Sequence, residues 1–364
     1  MLSTLSACGL EDLKKGVAVH KDGVYFTVYA IKRYAVAHGF DKKVNSSTYE
    51  IPSRVMYKGI KYPVKQFSVQ LDGAYYTRFE IVHDGGTATK LIVPETVEKL
   101  DLSKYLYSQV ENLQKITVSE DNKHLTSVDG VVYTKDKSQL IFYPPAKPDN
   151  TLVLPMQTTS ISDYLYGKKN LAAIAVEAGN TSYSAHDGVL FTADGKSIVC
   201  YPLNKTDEKF LIPKSWSVLA TSHFANNTYL KQLEVEEGNT IVSAYKGNLY
   251  SADGSTLLFR PNIDNSHVLE LPDTINTVND GMLYNVQYLY VPKGLQKIVF
   301  HKYEGYNDEN KGNPIAKVSY IYFESEELPF CLRYTRLTGT VKFGVSREQF
   351  QAEIESSLSS GEHL

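Results

Sequence analysis

The amino-acid sequence predicts a mostly β repeat solenoid, because three rows of residues run through its middle in step. Pro144, Pro202 and Pro261 stand 58 and 59 residues apart, and so do Gly130, Gly188 and Gly247. The pairs Asn112-Leu113, Asn170-Leu171 and Tyr229-Leu230 keep the same intervals of 58 and 59. Agreement of three rows to within one residue marks a repeated structural unit. Such a unit cannot bury its own apolar face and gains a core only by stacking on its neighbours.

Each unit opens on a strand. Leu113-Gln-Lys-Ile116-Thr-Val118 recurs as Leu171-Ala-Ala-Ile174-Ala-Val176 and Leu230-Lys-Gln-Leu233-Glu-Val235. This L-x-x-L-x-L pattern, alternating at its end, is a strand of leucine-rich-repeat type. A second strand stops at a proline in Leu91-Ile-Val-Pro94, Leu152-Val-Leu-Pro155, Phe210-Leu-Ile-Pro213 and Leu269-Glu-Leu-Pro272. The missing amide donor is tolerable where a ladder ends. From Leu152 to Leu171 is 19 residues and from Phe210 to Leu230 is 20, close to one leucine-rich coil. From Leu113 to Leu152, Leu171 to Phe210 and Leu230 to Leu269 is 39 each time, which leaves room for an insertion.

The insertion reads as a β-hairpin. Val131-Val-Tyr-Thr134, Val189-Leu-Phe-Thr192 and Asn248-Leu-Tyr-Ser251 each precede a polar turn, followed by Leu140-Ile-Phe-Tyr143, Ile198-Val-Cys-Tyr201 and Leu257-Leu-Phe-Arg260. Asp194-Gly195 and Asp253-Gly254 suit a tight reversal, since glycine accepts positive φ without a Cβ clash. Asp136-Lys137 replaces them in the first copy, so a looser turn, or one of another type, is expected there.

The ends of a solenoid expose strand edges that must be covered. Residues 16–85 are expected to form a small β-rich N-terminal cap, with Gly23 to Ala30 as one strand, and residues 86–300 the repeat solenoid. Residues 301–364 form the C-terminal capping segment, and 1–15 a leader remnant and linker. Ser346 and Gln349 have capping-box spacing, and Phe350, Ile354 and Leu358 repeat along one face of a short helix ending before Gly361. That helix is expected to lie over the last coil as a lid or to fray, with docking to a partner protein as the alternative. The polar stretch from His301 to Asn313 reads as an excursion before the final strands.

These motifs together resemble the BspA-like leucine-rich-repeat proteins found on the surfaces of Bacteroidetes. The resemblance rests on the strand ends at Pro94, Pro155, Pro213 and Pro272, on Asp187-Gly-Val-Leu-Phe-Thr192 with its partner Asp129-Gly-Val-Val-Tyr-Thr134, and on Tyr143-Pro144 and Tyr201-Pro202. The segment Tyr49 to Val64, with Ile51-Pro52 and Tyr57-Lys-Gly59, looks like the family's opening module. The likeness covers roughly residues 20 to 300. It departs at the convex turn, where the family usually has Ala-Phe and this chain has Tyr105-Leu-Tyr107, Tyr164-Leu-Tyr166 and His223-Phe224, which implies bulkier outer packing. The resemblance implies an adhesin or binding scaffold rather than an enzyme.

Composition fits a folded, nearly neutral chain. Of 364 residues 42% are hydrophobic, and 38 basic against 41 acidic side chains leave a net charge of -3. No basic run supplies a local field for nucleic acid, so none is expected as a partner. No apolar stretch is long enough to span a bilayer. The three cysteines stand apart. Cys200 fills the slot of Phe142 and Phe259 and is expected to pack, and Cys331 also has apolar neighbours. Cys8 follows Leu5-Ser6-Ala7, a lipobox-like run, which predicts a lipid-attached cysteine behind a truncated leader at the cell surface or outer membrane. The alternative is a frayed terminus. A single acyl chain anchors only marginally, so the reading requires multiple acylation.

Catalytic signatures do not emerge. The sequence has no Gly-x-Ser-x-Gly, His-Glu-x-x-His or Gly-x-x-x-x-Gly-Lys, and its nine histidines lack metal-ligand spacing. No metal or other cofactor is expected. Glu234, Glu236 and Glu237 read as a solvated edge. The 27 tyrosines and 14 phenylalanines suggest sugar stacking, but Tyr133, Phe191 and Tyr250 share one repeat slot, as do Tyr143 and Tyr201, so structure accounts for them. Trp216 shares a slot with Val97, Thr158 and Ile275 and is expected to be packed, with an exposed sugar platform as the alternative.

If a ligand binds, the concave strand face is the place, because side chains between the apolar L-x-L positions point outward there. That selects Lys115, Thr117, Ala173, Ala175, Gln232 and Glu234 as candidate ligand-binding residues. Their mixed character argues against a single charged ligand. The favoured function is a non-catalytic surface scaffold, monomeric, recognising a host protein, a neighbouring surface protein or a glycan, with membrane contact only through the lipid anchor. A structural or assembly component of the envelope without a dedicated ligand is the alternative, and a glycan-active enzyme a third.

Overall fold

The computed structural model describes residues 16–41, 44–68, 87–102, 111–162, 165, 168–217, 221–224, 227–261, 267–283, 286–299, 318–332, 337 and 339–360. Cys8, the turn residues Tyr105-Leu106-Tyr107, Tyr164 and Tyr166, and the stretch from His301 to Asn313 lie outside the described residues. The chain divides into two compact units, Met1–Ala193 with Cys200–Asn204, and Asp194–Val199 with Lys205–Leu364.

The first unit begins with β1 (Val17–Lys21), β2 (Val24–Tyr29), β3 (Tyr34–Phe40), β4 (Thr48–Glu50), β5 (Arg54–Tyr57), β6 (Ile60–Ser68), β7 (Lys90–Val93), β8 (Lys99–Asp101) and β9 (Lys115–Val118). A six-stranded sheet runs β1-β2-β3-β6-β5, with β8 paired to β6. Asp22 and Gly23, both at positive φ (51° and 76°), make the reversal between β1 and β2, where two left-handed residues match the twist of the strands. Stacking starts with β4-β7-β9, a parallel ladder in which Tyr49 faces Leu91 and Leu91 faces Ile116.

Then follow β10 (Leu125–Val128), β11 (Val131–Thr134), β12 (Gln139–Phe142), β13 (Thr151–Leu154), β14 (Ser160–Ile161), β15 (Ala173–Val176), β16 (Tyr183–His186) and β17 (Val189–Thr192). β13 and β15 pair in parallel, with Leu152 opposite Ile174. β12 pairs in parallel with β14. The register therefore aligns the fourth residue of the L-x-x-L motif with the leucine that opens the proline strand. Leu171, the first residue of the motif, is buried just before its strand.

The insertion carries one strand more than expected. β10, β11 and β12 form an antiparallel meander, and β16 precedes β17 in the same way. The glycine row is the first reversal of these meanders: Asp129 and Gly130 take φ 48° and 78°, Asp187 and Gly188 48° and 72°. The second reversal corrects the expectation of a looser turn in the first copy. Lys137 adopts φ 62°, beside 68° at Gly195 and 73° at Gly254. Its amide donates to Thr134 O at 2.8 Å, as Gly254 N does to Ser251 O at 2.8 Å. The aspartate side chain holds both turns, Asp136 Oδ1 accepting from Ser138 N and Asp253 Oδ1 from Ser255 N, each at 3.0 Å.

β18 (Ile198–Cys200) is divided between the units. The second unit continues with β19 (Lys209–Ile212), β20 (Gln232–Val235), β21 (Val242–Tyr245), β22 (Asn248–Ser251), β23 (Leu257–Phe259), β24 (Val268–Glu270), β25 (Thr277–Asn279), β26 (Tyr288–Val291), β27 (Lys297–Val299), β28 (Tyr320–Phe323), β29 (Thr340–Lys342) and helix α1 (Arg347–Ser360). β19 pairs with β20 in parallel, β21-β22-β23 is the third meander, and β24-β26-β28-β29 is a four-stranded parallel ladder. Each unit is thus a stack of leucine-rich-repeat-type coils, and the long repeat of 58 or 59 residues holds a plain proline-turn coil followed by a coil carrying a meander.

A side-chain ladder that sequence reasoning missed ties these two kinds of coil together. Asn122 Nδ2 donates to Pro94 O and Val97 O, both at 2.8 Å. Asn180 does the same to Pro155 O and Thr158 O, and Asn239 to Pro213 O and Trp216 O. Each asparagine oxygen accepts the amides two and three residues on, as Asn180 Oδ1 does from Ser182 and Tyr183 at 2.9 Å. These asparagines keep the 58 and 59 intervals, so their signal was present in the sequence. The slot they bridge to is a core slot: Val97 and Thr158 are buried, and Trp216 is 0% exposed with its ring edge-on to Phe224 at 6.4 Å. That excludes Trp216 as a sugar platform. Cys200 is packed as expected, its thiol pushed up to about 12 by burial.

Candidate binding surface

Outward residues of the parallel ladders alternate with core leucines. In the first unit β7 and β9 present Lys90, Ile92, Lys115 and Thr117, and β13 and β15 present Thr151, Val153, Ala173 and Ala175. In the second unit β19 and β20 present Lys209, Leu211, Gln232 and Glu234. Lys115, Gln232 and Glu234 are exposed, while Thr117, Ala173 and Ala175 are half-buried. The six predicted residues therefore lie on the outward faces of three separate ladders, each pair beside the proline strand of the preceding coil.

The meanders shape what these positions can offer. Gly130 O accepts from Ile116 N at 3.0 Å, Gly188 O from Ile174 N at 2.9 Å and Gly247 O from Leu233 N at 2.8 Å. Each glycine turn thus closes on the first half of its strand. A Cβ at Gly130 would stand 3.0 Å from Lys115 Cγ, one at Gly188 3.1 Å from Ala173 Cβ, and one at Gly247 2.9 Å from Gln232 Cγ. The glycine row is therefore set both by backbone conformation and by close approach to the candidate face. Lys115, Ala173 and Gln232 lie against a turn on one side; Thr117, Ala175 and Glu234 follow them along the strand.

Sequence reasoning missed the partners on the proline strands. Val153 is 52% exposed and Leu211 45%, each flanked in its strand by buried core residues. Strand alternation turns both outward between those core residues. In the second unit Lys209 Nζ reaches Glu234 Oε1 at 3.5 Å, whereas in the first unit Lys90 and Lys115 stand opposite each other on neighbouring strands. Thr117 Oγ1 is buried without a hydrogen-bond partner among the described residues.

Buried ionisable groups are engaged in holding loops. Lys147 Nζ donates to Asp129 at 2.8 Å and to Asp149, joining a meander turn to the approach to β13. Burial alone would lower the Lys147 ammonium, but the two aspartates raise it. Lys205 pairs with Asp207 at 2.7 Å in the second unit. Glu236, expected to be a solvated edge, accepts the amide of Lys214 at 2.8 Å just after Pro213, and Glu177 accepts that of Met156 at 2.8 Å after Pro155. Among the described residues no group of three or more His, Cys, Asp or Glu could hold a metal ion. No described helix is long and apolar enough to cross a membrane.

The stacked coils, proline turns and outward strand rows define a leucine-rich-repeat-type β scaffold. No family model matches the chain, and no curated protein matches it. Among solved structures it is similar to the pneumococcal vaccine antigen PcpA, 17% identical, covering 91% of this chain and 99% of that one, with a TM-score of 0.45. A leucine-rich cell-surface protein of Faecalibacterium prausnitzii is 14% identical, covering 92% and 97%, at TM-score 0.36. A leucine-rich-repeat protein of Eubacterium ventriosum is 16% identical, covering 90% and 86%, at TM-score 0.35.

Proposed function

We propose that this chain is a non-catalytic binding scaffold of the cell surface that recognises a protein or a glycan through the outward rows of its parallel ladders. The observation that carries the reading is the exposure of Val153 and Leu211 in the middle of otherwise core-forming strands. Val153, kept in water opposite Ala175, and Leu211, kept in water opposite Glu234, are apolar side chains suited to burial against a partner. The buried charges Lys147, Lys205 and Glu270 are meanwhile engaged in ion pairs that hold the fold.

The test is an array of glycans and extracellular-matrix proteins probed with the full chain and with a Lys115→Ala/Gln232→Ala/Glu234→Ala variant. Saturable binding by the parent, lost in a variant whose circular dichroism is unchanged, is the expected outcome. Full binding by the variant would remove this face from consideration. Silence across the arrays, with co-purification of other envelope proteins, would favour a structural or assembly role instead. Attachment to the membrane is assigned to acylated Cys8, on the lipobox-like Leu5-Ser6-Ala7-Cys8. Metabolic labelling with a fatty acid should mark the parent and not Cys8→Ala, and equal labelling of both would sink the anchor.

A further inference from the structure

The outward tyrosines of β24-β26-β28-β29 are covered by Phe350 and Ile354 of α1. In the first unit, by contrast, two turns at one end of the six-stranded sheet hold aliphatic side chains in water. Ile31, in the turn between β2 and β3, is 56% exposed, and Ile60, at the turn between β5 and β6, is 57% exposed. Met56, beside the second turn, is 44% exposed.

Register puts both turns at the same end of the sheet. Tyr29 pairs with Tyr34 across the first turn, and Tyr57 with Ile60 across the second. β3 runs parallel to β6 with Ala35 opposite Val64, so the two strands start side by side, about 4.8 Å apart. β6 begins four residues before Val64, which carries its turn about 13 Å beyond that pairing. β1 enters at this end too, Val17 facing Val28.

The two tips share one chemistry. Lys32 and Arg33 follow Ile31, while Arg54, Lys58 and Lys61 surround Met56 and Ile60, and all five cations are exposed. None of the five forms an ion pair among the described residues, and neither 29–34 nor 53–64 contains an acidic or amide side chain. Lys65, further along β6, is the contrast, paired with Glu98 at 2.8 Å. Half-buried tyrosines lie beneath the cations. Lys32 Nζ stands 5.5 Å from the centre of the Tyr29 ring and Lys58 Nζ 5.5 Å from that of Tyr57, and Tyr29 stacks on Tyr34 at 5.1 Å.

We propose that this end of the sheet is a membrane-docking surface for anionic lipid, with phosphate headgroups against the five cations and the isoleucines entering the acyl boundary. Basic side chains gain from a negatively charged leaflet, tyrosines suit its interface, and projecting aliphatic tips are what a bilayer can take up. An anionic polysaccharide would use the charges but leave the isoleucines in water, and the acidic and amide groups suited to reading its hydroxyls are missing. This contact goes beyond the lipid anchor proposed above and does not rest on it. The two agree in direction: Cys8 precedes Gly16 by eight residues, at most about 28 Å of chain, and a Cβ at Gly16 would stand 2.9 Å from the Tyr29 ring at the same end.

The test uses the full chain carrying Cys8→Ala, which cannot be acylated there, titrated with vesicles of phosphatidylcholine and of phosphatidylcholine mixed with phosphatidylglycerol. The mixed vesicles should bind it at least about tenfold tighter. Lys32→Gln/Arg33→Gln/Lys58→Gln/Lys61→Gln should abolish that preference, and Ile31→Ser/Ile60→Ser should weaken binding to mixed vesicles by about tenfold with circular dichroism unchanged. In an Ile60→Trp chain the new indole's emission should shift to the blue on mixed vesicles, against a constant background from buried Trp216. That readout decides if a multiple variant fails to fold. Equal affinity for both vesicles, no vesicle binding, binding indifferent to the isoleucines or an unshifted indole would each overturn the proposal, and binding to heparin in place of vesicles would reassign the cations to an anionic glycan. Failure here leaves the labelling test of the Cys8 anchor untouched.

Discussion

The ladder β24-β26-β28-β29 and the ladder β13-β15 are built by the same alternation, yet one outward face is covered and the other bare. Tyr288, Tyr290 and Tyr322 are buried beneath α1, while Val153 stands 52% exposed and Ala173 and Ala175 are half-buried. Large amphipathic rings with a polar rim of Glu270, Asp273 and Lys342 give a helix both apolar area and ion-pair partners. Alanine, threonine and valine offer less apolar area and no ion-pair partner. Identical backbone geometry therefore yields different surfaces, and the content of the outward slot decides which.

The contrast should break most sharply at Glu270, whose side chain is 5% exposed and pairs with Arg347 of α1. Glu270→Gln removes a buried carboxylate while Arg347 keeps Asp273, and is expected to cost about 3 kcal/mol, read as a lower unfolding midpoint for the second unit. Burial alone would raise this carboxyl, but hydrogen bonds from Tyr245, Gln351, Lys246 and Arg347 bring it down to about 2. The unfolded chain, titrating near about 4.3, binds the extra proton between those values. Stability from Glu270 is therefore full above that range and lost as pH falls through it toward the folded value. An acid titration should flatten in Glu270→Gln; an unchanged slope would remove Glu270 as its source.

A milder test sets Phe350→Ala against Val153→Ala. The first strips a buried anchor from the covered face and should cost about 2 to 3 kcal/mol, with loss of helical signal and retention of strand signal. The second touches the bare face and should stay within about 0.5 kcal/mol. Equal effects, by denaturant titration, would mean that the two faces are not energetically different. Smallest is Thr117→Val, which removes a buried hydroxyl lacking a partner among the described residues and should stabilise the first unit by about 1 kcal/mol. A destabilisation would show that the hydroxyl is satisfied in solution.

Much of the scaffold was legible because its signals are local. Proline strand ends, the Asp-Gly reversals and the slots of Cys200 and Trp216 all follow from alternation and turn chemistry. The strands β10, β16 and β21 were missed because Leu125-Thr-Ser-Val128 and Tyr183-Ser-Ala-His186 lack a continuous apolar row; their hydrogen bonds come from the meander. The Lys137 turn was misjudged because a side-chain cap from Asp136 holds a left-handed lysine, a cost that residue type alone overstates. On the candidate face, Lys115, Thr117, Ala173, Ala175, Gln232 and Glu234 follow from alternation on the L-x-x-L strands, whereas Val153 and Leu211 lie on the proline strands, where the same alternation turns them outward but no candidate was named.

The sequence by itself determined the period, the residues that face inward in each strand, and the places where the chain reverses, since these depend on neighbours a few residues away. Only the tertiary structure decided the register that sets Leu152 against Ile174, the asparagines that clamp one coil to the next, and the seating of α1 on the tyrosines. Those features join groups far apart in the chain. Alternation says which side chains share a face; what comes to cover that face depends on where the rest of the polypeptide can reach.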